Sequence, residues 1–219
     1  MLKRAAITLA VMAALFVASA LYAPQLLAFP YKAETAIGPV WSERPLDQQA
    51  LDAVASRTRG LLADSPIADA DESRPIFLTD GGWRWLWLAN TARGGFALTR
   101  PLSRAVVVNA SDADSDTMRN GAAVAGERSL SGVLAHEFTH GVLRRRYGVI
   151  AMALQPQWKV EGYADHVAQE SSLSAEAVAQ LEADGANHPA LPYYHGRMQV
   201  AERLADNGGS VDDLFATTD

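Results

Sequence analysis

The most informative stretch of this chain is SGVLAHEFTHGVLRRRYG, residues 131–148. It holds two of the chain's five histidines, four residues apart, with a glutamate directly after the first. Four residues make about one helical turn, so His136 and His140 leave the same face of a helix and can reach one metal ion. Glu137 projects from the next position around the helix, where it can act on a water beside that ion. The pattern therefore predicts two metal ligands and a general base.

The residues around this motif are those of a buried helix, which weakens the alternative of an ordinary helix that carries two histidines. The apolar positions are Leu130, Val133, Leu134, Phe138, Val142 and Leu143. Three arginines, residues 144–146, follow in the last turns, where cations favour the helix dipole, and Gly148 acts as a stop. Capping and solvation explain these arginines, so we assign them no role toward a substrate.

A catalytic zinc needs a third protein ligand, usually on a second helix. The chain has no cysteine, so any metal must be held by histidine and carboxylate. The stretch QPQWKVEGYADHVAQE, residues 155–170, supplies Glu161 as the candidate, with Asp165 one turn further along the same face. A carboxylate at Asp165 could accept the free ring N–H of a ligand histidine. Asp165 and Glu170 also remain as alternative third ligands.

HEFTH (136–140) followed by WKVEGYAD (158–165) resembles the gluzincin branch of zinc metallopeptidases, which includes thermolysin. The resemblance is greatest to the small bacterial peptidase-MA-like domains, whose second helix often reads W-x-x-E-G-x-A. It covers residues 75–215 and is strongest over 129–170. It implies one zinc ion per chain and a zincin-like domain. The ligands that it implies are His136, His140 and Glu161, with Glu137 as the base and Asp165 as the partner of His136.

The resemblance also implies peptide-bond hydrolysis by a zinc-bound water that Glu137 activates. Such domains often carry a tyrosine near the start of a later helix, which stabilises the tetrahedral intermediate. The spacing selects Tyr194 here, with His195 as the second candidate. An extended peptide or protein substrate would pair with the edge of the sheet, for which RAVVVN, residues 104–109, is the candidate.

Two other functions remain open at the level of the sequence. The first is a catalytically silent, membrane-tethered binding or scaffold protein that keeps the zincin fold. The second is a zinc hydrolase that acts on a non-peptide amide. A net charge of −6 and the lack of a basic stripe give no reason to expect a nucleic-acid partner.

Residues 1–30 are predicted to be a signal anchor or a signal peptide. Lys3 and Arg4 precede residues 5–22, in which one threonine and one serine are the only polar groups. As a helix of roughly 27 Å this segment approaches the hydrocarbon thickness of a bilayer, which favours an uncleaved anchor. Residues 18–20, ASA, could instead supply a cleavage site. Both alternatives predict export: anchored in the inner membrane and facing the periplasm or extracytoplasmic side, or secreted after cleavage.

The remaining chain is predicted to be an α+β domain, with a small N-terminal sheet and a mostly helical C-terminal half that carries the HExxH helix. Residues 31–44 are predicted to be an irregular linker, within a longer proline- and glycine-containing stretch from residue 24, and residues 45–219 the domain. The predicted elements are a helix from Pro45, strands at 75–79, 95–99 and 104–109, a short helix at 83–93, a solvated loop at 112–116, and helices at 129–147, 156–170, 174–184, 192–206 and 211–216.

Overall fold

The computed structural model describes residues 2–100 and 103–216. Strands and helices segregate along this part of the chain: its strands all precede Leu130, and the segment that follows is helical with short connections. The predicted α+β class is therefore confirmed.

The chain begins with helix α1, Leu2–Tyr22, and a short 3-10 helix, Pro24–Leu27. Helix α1 contains residues 5–22, and its apolar side chains include exposed ones at Ile7, Leu9 and Met12. Within residues 2–100 and 103–216, no helix combines the length and the apolar character needed to cross a bilayer. The anchor and the cleaved signal both stay predictions.

The prediction of an irregular linker over residues 31–44 is wrong. Strands β1, Tyr31–Thr35, and β2, Gly38–Ser42, form an antiparallel hairpin there. Gly38 has a φ of +118°, and a Cβ at this position would crowd the backbone of Arg74, so the glycine permits the bend. The same Gly-Pro pair that indicated a break in structure therefore begins strand β2, directly after the hairpin turn.

Strand β2 pairs in parallel with β3, Ile76–Leu78, and helix α2, Gln48–Ala63, connects them. Asp47 caps the N-terminus of helix α2: its carboxylate accepts a hydrogen bond from the backbone N–H of Ala50 at 2.8 Å. Helix α3, Trp83–Ala89, then leads to β4, Ala97–Thr99, and β5, Val106–Val108. The predicted strands and the short helix in this region are confirmed.

The order of the five-stranded sheet is β1-β2-β3-β5-β4. Strand β5 is parallel to β3 and antiparallel to β4, so it lies inside the sheet; β4 forms one edge and β1 the other. The prediction that residues 104–109 form the edge is therefore wrong. All three valines of β5 are completely buried, as expected for a strand that is covered on both faces.

A second, three-stranded antiparallel sheet was not predicted. It consists of β6, Ala110–Asp112, β7, Thr117–Arg119, and β8, Glu127–Ser129. The β6–β7 turn contains most of the predicted solvated loop, but Asp116 points inward. Its carboxylate accepts hydrogen bonds from the backbone N–H and the hydroxyl of Ser131, both at 2.7 Å. This carboxylate stabilises the start of the central helix, where the helix dipole favours negative charge.

Helix α4, Leu130–Tyr147, is the central helix of the domain, and each of its residues from Leu130 to Leu143 is buried. It packs against α2 and the edge strand β4. The later helices are α5, Val149–Leu154, α6, Gln157–Val167, α7, Ala175–Ala183, α8, Leu191–Asp206, and α9, Val211–Ala216. Helix α6 packs against both α4 and α8. The predicted helices are confirmed within a few residues, except that α5 was not predicted.

Candidate metal centre

Helices α4 and α6 bring three potential metal ligands together. The Nε2 atoms of His136 and His140 lie 3.1 Å apart. One carboxylate oxygen of Glu161 lies 3.3 Å from Nε2 of His136 and 3.6 Å from Nε2 of His140. Both histidines are 8% exposed, so they contribute to a largely buried site.

The dimensions of this triangle fit a tetrahedral zinc ion. Ligand atoms about 2.0 to 2.1 Å from such an ion are separated from one another by roughly 3.3 to 3.4 Å. The three separations of 3.1, 3.3 and 3.6 Å bracket that value. Two imidazoles and one carboxylate also form a donor set that suits a catalytic zinc, which keeps its fourth position open. The residues therefore fit the metal that the sequence predicts.

Asp165 holds the His136 ring from the side opposite the triangle. Its carboxylate lies 2.7 Å from Nδ1 of His136, which leaves Nε2 to face Glu161. Asp165 is itself held by Arg128, at 3.0 Å, and Arg128 also contacts Glu170 at 3.3 Å. Glu170 accepts hydrogen bonds from the backbone N–H and hydroxyl of Ser129 at the start of α4, so it caps the helix and is not part of the ligand triangle.

The charged groups of the site shift one another's pKa values. Burial alone would lower the pKa of His136, but Asp165 and Glu161 outweigh it and raise that pKa to about 10. Burial would raise the pKa of Glu161, yet His140 and His136 hold it well below its usual range. In the same way His136 and Arg128 outweigh burial and lower the pKa of Asp165.

Glu137 is buried beside the ligands but is not one of them. It is 6% exposed, and it lines the same cavity as His136 and His140. Its Oε2 atom is buried and has no hydrogen-bond partner among the described residues. A buried carboxylate oxygen without a partner is costly, and such groups are typical of functional sites. Its position agrees with that of a base aimed at a reacting group.

Two glycines set the position of α6. A Cβ on Gly162 would lie 2.5 Å from the carbonyl carbon of Gly196 in α8, and a Cβ on Gly196 would lie 2.9 Å from the carbonyl oxygen of Trp158. The two helices therefore cross with their backbones in contact. This contact fixes the helix that carries Glu161 and Asp165, which explains why a glycine follows Glu161 in the sequence.

A cavity of about 750 Å³ opens over the triangle. Tyr193 and His188 line it, but Tyr194 and His195 do not, so the structure does not bring the predicted donor to the site. Tyr194 instead packs against the ring of His195, which is exposed and contacts Glu182 at 3.1 Å. Burial, followed by the charges of Glu161 and Asp165, raises the pKa of Tyr193.

The edge strand β4 borders the cavity from the other side, with residues 96–99 in its lining. The hydroxyl of Thr99 donates to the carbonyl of Glu137 at 3.1 Å, and Arg144 donates to the carbonyl of Thr99 at 2.9 Å. Val108 faces β3, because its carbonyl accepts from the N–H of Thr79 at 3.1 Å. Its neighbour in β4, Ala97, therefore directs its backbone N–H and C=O to the open side of the sheet.

Sequence reasoning missed three residues of the site: Arg128, His188 and Tyr193. No local pattern marks Arg128, since it reaches Asp165 from the second sheet. His188 lies in the loop before α8, and its Nδ1 accepts a hydrogen bond from the N–H of Ala190 at 3.2 Å. Pro189 and Pro192, which lie between His188 and Tyr193, indicated only a loop, although two polar rings beside a helix start were a usable signal.

Comparisons with models of protein families, with curated proteins and with solved structures find no match for this chain. The interpretation of the centre therefore rests on its own geometry.

Proposed function

We propose that this protein is a zinc-dependent metallopeptidase with a zincin-like domain that resembles the peptidase-MA-like domains. The observation that carries the proposal is the triangle of His136, His140 and Glu161, at zinc-like separations, beside the unpartnered carboxylate of Glu137. Hydrolysis of a pool of denatured proteins that is abolished by a chelator and restored by zinc is the experiment that tests it.

The residues of the cavity have distinct roles in this reaction. A zinc ion held by the triangle supplies Lewis-acid chemistry, because it lowers the pKa of a water and polarises a carbonyl. Glu137 takes a proton from the attacking water and delivers it to the leaving nitrogen of the peptide. Its buried Oε2 atom has no hydrogen-bond partner among the described residues, so this oxygen is available for the transfer.

Tyr193 and His188 are the candidates to stabilise the developing oxyanion, in place of Tyr194. Because Nδ1 of His188 accepts a backbone hydrogen bond, its neutral ring carries the proton on Nε2 and can donate it. The hydroxyl of Tyr193 accepts a hydrogen bond from the Gln157 side chain at 3.1 Å, which leaves its own proton available. Donors aimed at a developing negative charge contribute strongly to acyl-transfer reactions.

The free edge of β4 is the proposed binding site for an extended peptide. Ala97 offers one outward N–H and one outward C=O, which can pair with the backbone of a substrate by strand addition. Thr99 ties this strand to the helix that carries the ligands. A peptide on β4 would therefore lie across the triangle in a fixed register.

Replacing Asp165 by Asn is expected to weaken zinc binding or hydrolysis by roughly 10- to 100-fold without removing either. The amide keeps the volume of the carboxylate but not its charge, so it holds His136 less firmly. Competition with a chelator measures the affinity for zinc. Asp206→Asn, a change at an exposed position of α8, is the matched control. Wild-type affinity and activity in Asp165→Asn would show that this contact does not tune the site.

The location of the protein depends on residues 5–22, and we propose that they direct it out of the cytoplasm. An uncleaved segment predicts a protein that stays in the membrane fraction after a high-salt wash and begins at Met1. Cleavage predicts a mature N-terminus near Leu21 or Ala23. N-terminal sequencing of the expressed protein distinguishes them, and a protein that stays in the cytoplasm would refute both.

A further inference from the structure

A second cavity, of about 570 Å³, lies beside the candidate metal centre. Thr99 and Arg144 line both cavities, so they form the boundary between them. Arg144 follows His140 by four residues in α4 and therefore lies on the same face, about 6 Å further along the helix. The second cavity thus begins roughly one helical turn from a metal ligand. In extended peptide this distance corresponds to about two residues.

The charged side chains around the second cavity carry an excess of positive charge. Its lining contains five arginines and three acidic residues: Arg74, Arg100, Arg104, Arg144, Arg145, Asp69, Asp71 and Glu72. Arg145 pairs with Asp69 at 3.1 Å and also contacts Glu72. Among the residues that the structure describes, the ion pairs within 4.0 Å include none to Arg100, Arg104 or Arg144.

These three arginines are nevertheless held in place. Arg144 donates to the carbonyl of Thr99 at 2.9 Å, and Arg104 donates to the carbonyl of Ser73 at 2.7 Å. Arg100 donates to the carbonyl of Leu88. A bond to a carbonyl orients a guanidinium group but does not neutralise its charge. The cavity is therefore organised to bind an anion before any anion arrives, which lowers the cost of binding.

Arg74 lies deepest in this cluster. It is 5% exposed, its Nε atom has no hydrogen-bond partner among the described residues, and Glu72 lies 3.8 Å away. Burial lowers the pKa of Arg74; Glu72 opposes this effect, and the charges of Arg104, Arg145 and Arg144 add to it. Gly141, directly after His140, leaves the space that the guanidinium occupies, because a Cβ there would collide with it.

We propose that this cavity binds a carboxylate of the peptide substrate, within about two residues of the bond that is cleaved. The carboxylate is either the C-terminal group of a peptide or the side chain of an Asp or Glu. Arginine suits this ligand because its planar fork can make two parallel hydrogen bonds to one carboxylate. The inference rests on the proposed function, since it takes the substrate to lie across the triangle. It assigns Arg144 a role toward a substrate, whereas the sequence analysis explained the arginine run by capping and solvation alone.

The test is a binding experiment with the full-length, zinc-loaded Glu137→Gln protein, which is expected to bind peptides without cleaving them. The probes are blocked alanine pentapeptides in which a single Glu occupies each position in turn, each with its Gln counterpart. Alanine pentapeptide with a free C-terminal carboxylate is compared with its amide. Calorimetric titration is expected to give a preference of about tenfold or more for a carboxylate at one defined position. A preference within the Glu and Gln peptides identifies a side-chain carboxylate as the ligand. A preference for the free C-terminus over its amide identifies a C-terminal carboxylate.

Arginine variants link that preference to the cavity. Arg104→Gln changes an exposed residue of the rim, so the fold is expected to survive, and Arg144→Gln changes the boundary between the cavities. Each should reduce the carboxylate preference to nearly equal binding. Arg146→Gln is the matched control, because Arg146 pairs with Asp212 at 2.5 Å and does not line the cavity.

Equal affinity for every carboxylate peptide and its neutral counterpart would overturn the inference. So would a preference that survives both Arg104→Gln and Arg144→Gln, because the carboxylate would then be bound elsewhere, for instance by zinc. The proposed function is judged separately by cleavage. Zinc-dependent cleavage without a carboxylate preference would support the peptidase function and refute the carboxylate site. A carboxylate preference without any cleavage would support the carboxylate site and refute the peptidase function.

Discussion

Glu137→Gln is expected to keep the fold and the bound zinc while losing nearly all peptide hydrolysis. The amide has the same shape as the carboxylate and is not a ligand in the triangle, so metal binding should not change. It cannot accept the proton of the attacking water, and general-base catalysis typically contributes 10²- to 10⁴-fold to a rate. Release of new peptide ends from denatured proteins, followed over time, measures the loss, and metal analysis measures the zinc.

The matched control is Glu202→Gln, the same substitution at an exposed position of α8, which should behave as wild type. Equal cleavage by wild type and Glu137→Gln would refute the role of Glu137. If neither protein cleaves peptides although both bind zinc, the protein is either a binding or scaffold protein with this fold or a hydrolase of another amide. Turnover of non-peptide amides would separate the last two.

Gly162→Ala is expected to reduce the free energy of unfolding by about 3 kcal/mol, the upper part of the range for overpacking a tight contact. The added methyl group would meet the backbone of Gly196 at 2.5 Å, and a backbone cannot move aside as a flexible side chain can. Helix α6 must then separate from α8. Because α6 also carries Glu161, the affinity for zinc should fall in the same variant. Chemical denaturation measures the first effect and chelator competition the second.

Gly60→Ala provides the control for this substitution. Gly60 lies inside α2, and an added Cβ would meet nothing within 4 Å. Alanine is the better helix former, so this variant should gain roughly 0.5 to 1 kcal/mol of stability. The two substitutions thus have opposite expected signs. A Gly162→Ala protein as stable as Gly60→Ala would show that α6 and α8 are not held by this contact.

The local part of the candidate site could be predicted from the sequence. His136, Glu137 and His140 belong to one helix, and helical spacing alone decides which of them share a face. The one-turn spacing of Glu161 and Asp165 was readable for the same reason. Their approach to α4 was not, because it depends on the crossing of α6 and α8 at two glycines that are distant in the sequence. Arg128, which reaches the site from another sheet, left no local signal.

The errors at Tyr194 and at the sheet edge have different physical origins. Tyr193 and Tyr194 are neighbours in a helix, so a shift of one residue rotates the side chain by about 100°. The start of a helix is rarely known from sequence to within one residue. The order of strands in the sheet is set by long-range pairing, which local sequence patterns indicate less clearly. The run of three valines in β5 did indicate the position of that strand, because a completely apolar strand is typical of the inside of a sheet.

The zinc content of Glu161→Ala shows most directly whether His136, His140 and Glu161 form a metal centre. The wild-type protein should bind about one zinc ion per chain, since three protein ligands and an open position complete a tetrahedral site. The variant should bind almost none, because two histidines leave the ion under-coordinated, whereas Glu202→Ala should bind as much as wild type. Metal analysis after equilibration with zinc gives the answer. One zinc ion per chain in Glu161→Ala would place the third ligand elsewhere and contradict the gluzincin-type centre.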